Sequence, residues 1–275
     1  ALLVSRVSQA MSTARSDELK LLVENTGVPN DAAKARAEVA DLEDRAVKLD
    51  RQNPELLAIK GQRLRLEGNV DGSVTALKQA IAMDNSRAQF HLELAKVLTA
   101  KAGGEKDAKA ALEQALKTMD SPKLRVMLGD VNRKLGRADD AITEYTKALA
   151  DPKTKNPEAR LALGSLYRER RSYDKAQEQL EKAAQEYVSQ PARAAEAYTE
   201  LGRTFEEKGD RTKADDAYKK ALNADVEYAP AYFFYARFLS TDRAAAGKAR
   251  ATAQEYLKRE PRGAYAADAQ RIVSL

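Results

Sequence analysis

Apolar positions recur along most of the chain with the spacing of an amphipathic α-helix. Around Gly202, for example, Tyr198, Leu201 and Phe205 fall on one face of a helix. The Lys-Gly-Asp segment at Gly209 predicts a left-handed cap that ends this helix. A second apolar face follows directly, so the pattern predicts two antiparallel helices joined by a short turn. The sequence has no sustained alternation of apolar and polar residues, which is the pattern of a β-strand. We therefore expect an all-α protein.

Small residues recur at an interval that matches the length of one helix pair. The first series has successive spacings of 34, 34, 35, 38 and 34 residues and consists of Gly61, Ala95, Gly129, Gly164, Gly202 and Ala236. Two further series keep the same interval, one of them through Ala214 and the other through Ala221. Since one helix pair cannot bury both of its faces, we expect successive pairs to stack into a solenoid.

Each unit carries an ordered set of residue types: an aromatic, Leu-Gly, an aromatic, a glycine turn, an alanine, an aromatic and an alanine. In this order the unit resembles the tetratricopeptide repeat, with the best match at residues 195–228. The resemblance implies a right-handed α-solenoid of antiparallel helix pairs, with six repeats in residues 54–261. Residues 1–53 then form a degenerate N-terminal helix pair, and residues 262–275 form a C-terminal capping helix. Instead of closing each unit, prolines open four of them: Pro54, Pro122, Pro157 and Pro230.

One interval is four residues longer than most of the others. The extra residues fall near residues 185–193, a segment that contains Pro191. Four residues make about one helical turn. We therefore predict that the second helix of this unit is lengthened and ends before Pro191.

Few residues in the sequence could carry out chemistry. The chain has no cysteine, which removes disulfides, thiolate ligands and cysteine nucleophiles. Its one histidine, His91, occupies the same repeat slot as Leu57 and Tyr198, so we expect it to pack. Adjacent carboxylates such as Glu206 and Glu207 point about 100° apart on a helix and should lie on solvated faces. We therefore expect no enzymatic activity, no metal site and no cofactor.

The resemblance also indicates where a partner would bind. In arrays of this type the first helix of each pair lines a concave groove. The residues one and four places after the small residue face this groove. The expected binding residues of this row are Arg65, Lys96, Arg133, Arg168, Arg203 and Arg237. Such a basic ladder favours an acidic or extended peptide. The alternative is that these residues fall there by chance, because Lys and Arg total 47 in the chain.

A second candidate contact lies near the end of the chain. Six aromatic residues fall within residues 228–238, and one of them, Phe233, occupies a groove-facing slot. Large aromatics dominate interface energetics, so Phe233 is a predicted partner contact. The alternative is that Tyr265 and Ile272 of the final helix cover this aromatic stretch.

The resemblance implies a protein-binding scaffold in a larger bacterial assembly, at the envelope, in secretion or in motility, where such arrays commonly occur. We expect no small-molecule substrate, and the opening apolar run is too short to span a membrane. RNA binding is one alternative, suggested by the net charge of +5, but the aromatics for base stacking are confined to one unit. An adaptor segment of a larger enzyme is the other alternative. The lack of cysteine leaves the bacterial cytoplasm and periplasm both open.

Overall fold

The computed structural model describes residues 53–151 and 153–275. These residues form thirteen α-helices and one short 3₁₀ helix, and they include no β-strand. Nearly all of the predicted N-terminal helix pair at residues 1–53 lies outside the described residues. The chain divides into two compact units, Ala1–Arg137 and Ala138–Leu275.

The described part of the first unit contains five helices that follow one another through short turns. They are α1 (Pro54–Leu66), α2 (Val70–Met83), α3 (Ala88–Ala100), α4 (Glu105–Thr118) and α5 (Pro122–Lys134). Side-chain caps satisfy free backbone amides at two helix starts. The side chain of Asn53 accepts a hydrogen bond from the amide of Glu55, and that of Asn69 accepts one from the amide of Gly72.

The second unit continues the same alternation with eight helices. They are α6 (Ala138–Ala148), α7 (Pro157–Glu169), α8 (Tyr173–Glu186), α9 (Pro191–Lys208), α10 (Arg211–Ala224), α11 (Ala229–Ser240), α12 (Ala246–Arg259) and α13 (Ala266–Val273). The side chain of Asn156 caps α7 and the side chain of Asp210 caps α10. Pro157 and Pro191 occupy the first position of their helices, where a missing amide hydrogen costs nothing.

Small residues allow the helices of a pair to approach closely, as the repeat pattern predicts. A β-carbon added at Gly202 would lie 2.7 Å from the ring of Tyr218 on the following helix. Gly209 ends α9 in the left-handed region, with φ at 88°, which confirms the predicted cap. The equivalent position in the preceding pair holds Arg171, the only non-glycine residue with positive φ in the described chain, at 58°.

The four extra residues lengthen a different helix from the one predicted. Helix α8 has 14 residues, like the other long second helices, whereas α9 has 18 and most first helices have 13. The prediction was wrong because Pro191 begins α9 instead of following a longer α8. A proline fits the first turn of a helix, and it disfavours helical geometry at the residue before it, here Gln190. The connecting loop leaves Val188 84% exposed.

Candidate partner-binding surfaces

The odd-numbered helices of each unit form a continuous surface because each contacts the next odd-numbered helix. This holds for α1, α3 and α5 in the first unit and for α7, α9, α11 and α13 in the second. The even-numbered helices of the described chain make no contact with one another within either unit. We call the surface of the odd-numbered helices the inner face and that of the even-numbered helices the outer face.

A cleft of about 530 Å³ opens on the inner face of the first unit, between α3 and α5. Its lining residues are Thr99 from α3 and Met127, Asp130, Val131, Arg133 and Lys134 from α5. Arg133 lies four places after Gly129, as predicted for a groove residue. The structure therefore places Arg133 beside apolar surface and at the edge of a defined cleft.

Two other predicted residues lie on the helices of the first unit. Lys96 is exposed on α3, one turn before Thr99, and its ammonium lies 2.9 Å from the buried carboxylate of Glu93. Arg65 is half-buried on α1, and its Nε is buried without a hydrogen-bond partner among the described residues. Lys96 thus belongs to the same helix surface as the cleft, whereas Arg65 is partly withdrawn from solvent.

Arg168 is a structural residue of the second unit, and its predicted exposure to a partner is wrong. Its side chain is only 8% exposed and is clamped by two carboxylates of α9. The Nε donates to Glu200 at 3.1 Å, and Nη1 donates to Glu207 at 2.6 Å. Burial opposes the positive charge, but Glu200 and Glu207 outweigh it and raise the pKa of the guanidinium above its usual value.

Arg203 and Arg237 reach the inner face but are already paired. Arg203 donates to Glu200 at 2.6 Å and lies over the ring of Phe234 at 4.5 Å. Arg237 donates to Glu206 at 3.2 Å and lies 5.2 Å from the centroid of the same ring. The inner face of the second unit therefore carries arginines that are paired with glutamates, and it is not a purely basic row of side chains.

Phe233 is part of the core, so its predicted position facing the groove is wrong. The side chain is 4% exposed, and its ring stacks on Tyr265 with the centroids 4.3 Å apart and the planes 4° from parallel. The rings of Phe234 and Tyr256 lie 5.2 Å and 5.8 Å away. Ile272 of α13 belongs to the same core cluster, which confirms the alternative that the final helix covers these aromatics.

The residues with a conceivable chemical role are engaged in structure. His91 is buried, and its Nε2 lies 3.1 Å from the carbonyl oxygen of Asn85. Glu206 accepts a hydrogen bond from the hydroxyl of Tyr218, while its neighbour Glu207 binds a different helix. In residues 53–151 and 153–275, no group of three or more acidic, histidine or cysteine side chains could hold a metal. No helix within these ranges has the length and apolar character to cross a bilayer.

Sequence comparison matches the tetratricopeptide repeat at residues 100–157, 157–186 and 195–225. The last segment covers residues 195–225 of the predicted unit of best match at residues 195–228. The sequence has no match among curated proteins.

Three solved structures illustrate the similarity of fold. The APC/C Cut9–Hcn1 hetero-tetramer matches with a TM-score of 0.67 and 14% identity over 96% of this chain, which spans only 52% of the matched chain. PilW, a type IV pilus biogenesis factor, matches with a TM-score of 0.64 and 19% identity over 79% of this chain and 98% of its own. YrrB, a repeat protein with an unusual peptide-binding site, matches with a TM-score of 0.50 and 23% identity over 69% of this chain and 95% of its own. The predicted fold class is thereby confirmed.

Proposed function

We propose that this chain, which belongs to the tetratricopeptide repeat family, is a non-catalytic scaffold that binds an extended segment of a partner protein on its inner face. We place it in a bacterial multiprotein assembly at the envelope, in secretion or in motility. Two similar folds support the proposal: YrrB is described as having a peptide-binding site, which supports the binding mode, and PilW is described as a pilus biogenesis factor, which supports the setting.

The observation that carries the proposal is the cleft between α3 and α5. Met127, which is half-buried, supplies apolar surface, and Thr99 and Arg133 supply polar groups around it. Apolar surface with a few convergent polar groups is the usual composition of a binding site. In an extended segment successive side chains point to opposite sides, so one side chain can cover Met127 while the side chains two places away meet the polar rim.

The charges around this cleft favour an acidic segment. Arg133 and Lys134 line it, and Lys96 is exposed one turn away on α3, whereas Asp130 is the one acidic residue in the lining. Lys96, Arg133 and Lys134 are all exposed, so basic side chains outnumber acidic ones on the accessible surface here. We therefore assign the acidic contact to the first unit.

Site-specific photo-crosslinking in the full chain tests this function. A photoreactive phenylalanine analogue at Met127 should capture a defined partner from the native host, and the same analogue at Lys106 on α4 should not. Lys106 is a suitable control because it is exposed on the outer face of the same unit.

Charge reversal provides the second arm of the test. The double variant Lys96→Glu, Arg133→Glu should weaken the binding of the captured partner about tenfold or more, because each reversed charge replaces an attraction by a repulsion. Reversing Lys106 and Lys117 changes the net charge equally and should leave binding intact. Equal losses from both pairs, or no capture from Met127, would mean that the partner binds elsewhere.

A further inference from the structure

The outward side of α12, the last helix of the outer face, is basic. The side of α12 that packs on the core carries Ala249, Ala253 and Tyr256, which are all buried. Residues 243–262, from the 3₁₀ helix to the turn after α12, include no exposed aspartate or glutamate. Their exposed cations are Arg243, Lys248, Arg250, Lys258 and Arg262. A helix of 14 residues is about 21 Å long, so these cations are spread along roughly that length of surface.

Three of these cations have no partner in the described part of the chain. The side chains of Arg243, Arg250 and Arg262 form no ion pair, hydrogen bond or ring contact with residues 53–151 or 153–275. The arginines that line the inner face of the same unit, by contrast, are all paired with glutamates. The positive charge of the α12 surface is therefore available to a partner.

The acidic residues close to this surface in the sequence are already engaged. Glu255 and Glu260 are half-buried; Glu255 pairs with Lys258 and Arg259, and Glu260 accepts a hydrogen bond from the hydroxyl of Tyr256. Residues 241–275 contain seven Lys or Arg against four Asp or Glu, whereas residues 138–240 contain 17 against 19. The excess positive charge of the second unit thus lies at its C-terminal end.

The residue types between the cations distinguish among anionic partners. They are Gly247, Ala251 and Gln254, and residues 243–262 expose no aromatic and no large apolar side chain. Tight protein interfaces usually centre on aromatic or apolar anchors, and single-stranded RNA is usually held by stacking on aromatic rings. A layer of anionic lipid headgroups needs neither, because it is attracted by accessible basic side chains alone.

We infer that the outward surface of α12 docks this protein on an anionic phospholipid surface through Arg243, Arg250, Lys258 and Arg262. The guanidinium groups donate paired hydrogen bonds to phosphate oxygens. A cluster of about four to eight basic residues on one helix is typical of anionic-lipid binding. Since no large apolar side chain is exposed here, the protein stays at the headgroup level. The inner face belongs to the odd-numbered helices, so this inference does not depend on the inner-face function.

Sedimentation of the full chain with lipid vesicles tests the inference. The protein should sediment with vesicles that contain phosphatidylglycerol and remain in solution with vesicles of phosphatidylcholine alone. Raising the salt from about 0.1 M to about 1 M should weaken binding tenfold or more, because the Debye length falls from about 10 Å to about 3 Å. The pair Arg250→Glu, Arg262→Glu should also weaken binding about tenfold or more, because each basic residue near an anionic surface contributes roughly fivefold.

Two control pairs change the net charge equally at other places. Lys106→Glu with Lys117→Glu reverses exposed lysines of α4, and Lys96→Glu with Arg133→Glu reverses the basic residues of the inner cleft. Both pairs should leave vesicle binding unchanged. An equal loss from either pair would mean that net charge alone attracts the vesicles, and it would overturn the inference.

Thermal melting separates docking from misfolding. The pair Arg250→Glu, Arg262→Glu should leave the melting midpoint unchanged, because neither side chain has an internal partner. If the midpoint falls, Arg250→Gln with Arg262→Gln removes both charges without adding repulsion and should still weaken vesicle binding several-fold. Equal binding to phosphatidylcholine vesicles, or binding that persists at about 1 M salt, would overturn the inference. A chain that binds single-stranded RNA but no anionic vesicle would likewise overturn it.

Discussion

Replacing Phe233 by alanine distinguishes a core residue from a partner contact. The ring is buried and is surrounded by aromatic rings from α11, from α12 and from the segment before α13. Truncating a buried phenylalanine costs about 3–5 kcal/mol in the free energy of unfolding, and a stacked aromatic pair contributes about 0.5–1.5 kcal/mol beyond its buried area. We expect a loss of about 4 kcal/mol, because the close stack on Tyr265 disappears together with the buried ring.

The variant is measured by urea denaturation followed by circular dichroism, with amide hydrogen exchange in α13 as a local readout. Exchange in α13 should accelerate, because Tyr265 loses the ring that holds it beside α11. Phe233→Leu is the control, and it should cost less than about 1.5 kcal/mol because most of the volume remains. A loss below about 1 kcal/mol for Phe233→Ala, with weakened partner binding, would refute the assignment of Phe233 to the core.

Three further changes probe the repeat itself. Gly202→Leu should lower the free energy of unfolding by about 1–3 kcal/mol, since the new side chain collides with Tyr218; unchanged thermal melting would remove the close-approach argument. Arg171→Gly should raise stability by about 0.5–1 kcal/mol, because glycine adopts positive φ without strain, and a lower melting midpoint would contradict this reasoning. Deleting residues 263–275 should reduce solubility by opening the apolar face that α13 covers, and a truncated chain that stays monomeric and equally stable in gel filtration and melting would exclude a capping role.

Much of the fold could be predicted from periodicity, because close packing leaves few residue types at certain positions. Only glycine fits at Gly202, where a β-carbon would collide with the Tyr218 ring, and the same holds at Gly164 against Leu180. The extra helical turn was assigned to the wrong helix because either neighbour could absorb four residues. The backbone conformation of the loop before Pro191 decides which of the two helices is longer. The periodicity of the sequence carries no information about that conformation.

The candidate site was less predictable because charges find partners far along the sequence. The register predicts which helix carries each arginine, but the carboxylates that bind Arg168 lie 32 and 39 residues further on. Glu200 and Glu207 belong to none of the small-residue series, so their effect on the basic ladder was missed. The burial of Phe233 likewise depends on Tyr265, which lies outside the repeat pattern. Sequence patterns thus predict which residues share a helix face, but not which of them remain available to a partner.

The extra turn of α9 shows how a repeat can diversify by length instead of by substitution. Four added residues leave the downstream packing positions of α9 in register with its neighbours, so the core is unchanged. The same four residues place Ala192 inside α9, whereas the equivalent residues Asn85 and Val226 of two other units lie in loops. A change in helix length can therefore alter the boundary between two helix pairs while the packing positions keep their register. In a modular protein, loop-to-helix boundaries are thus places where new specificity can arise at little cost to folding.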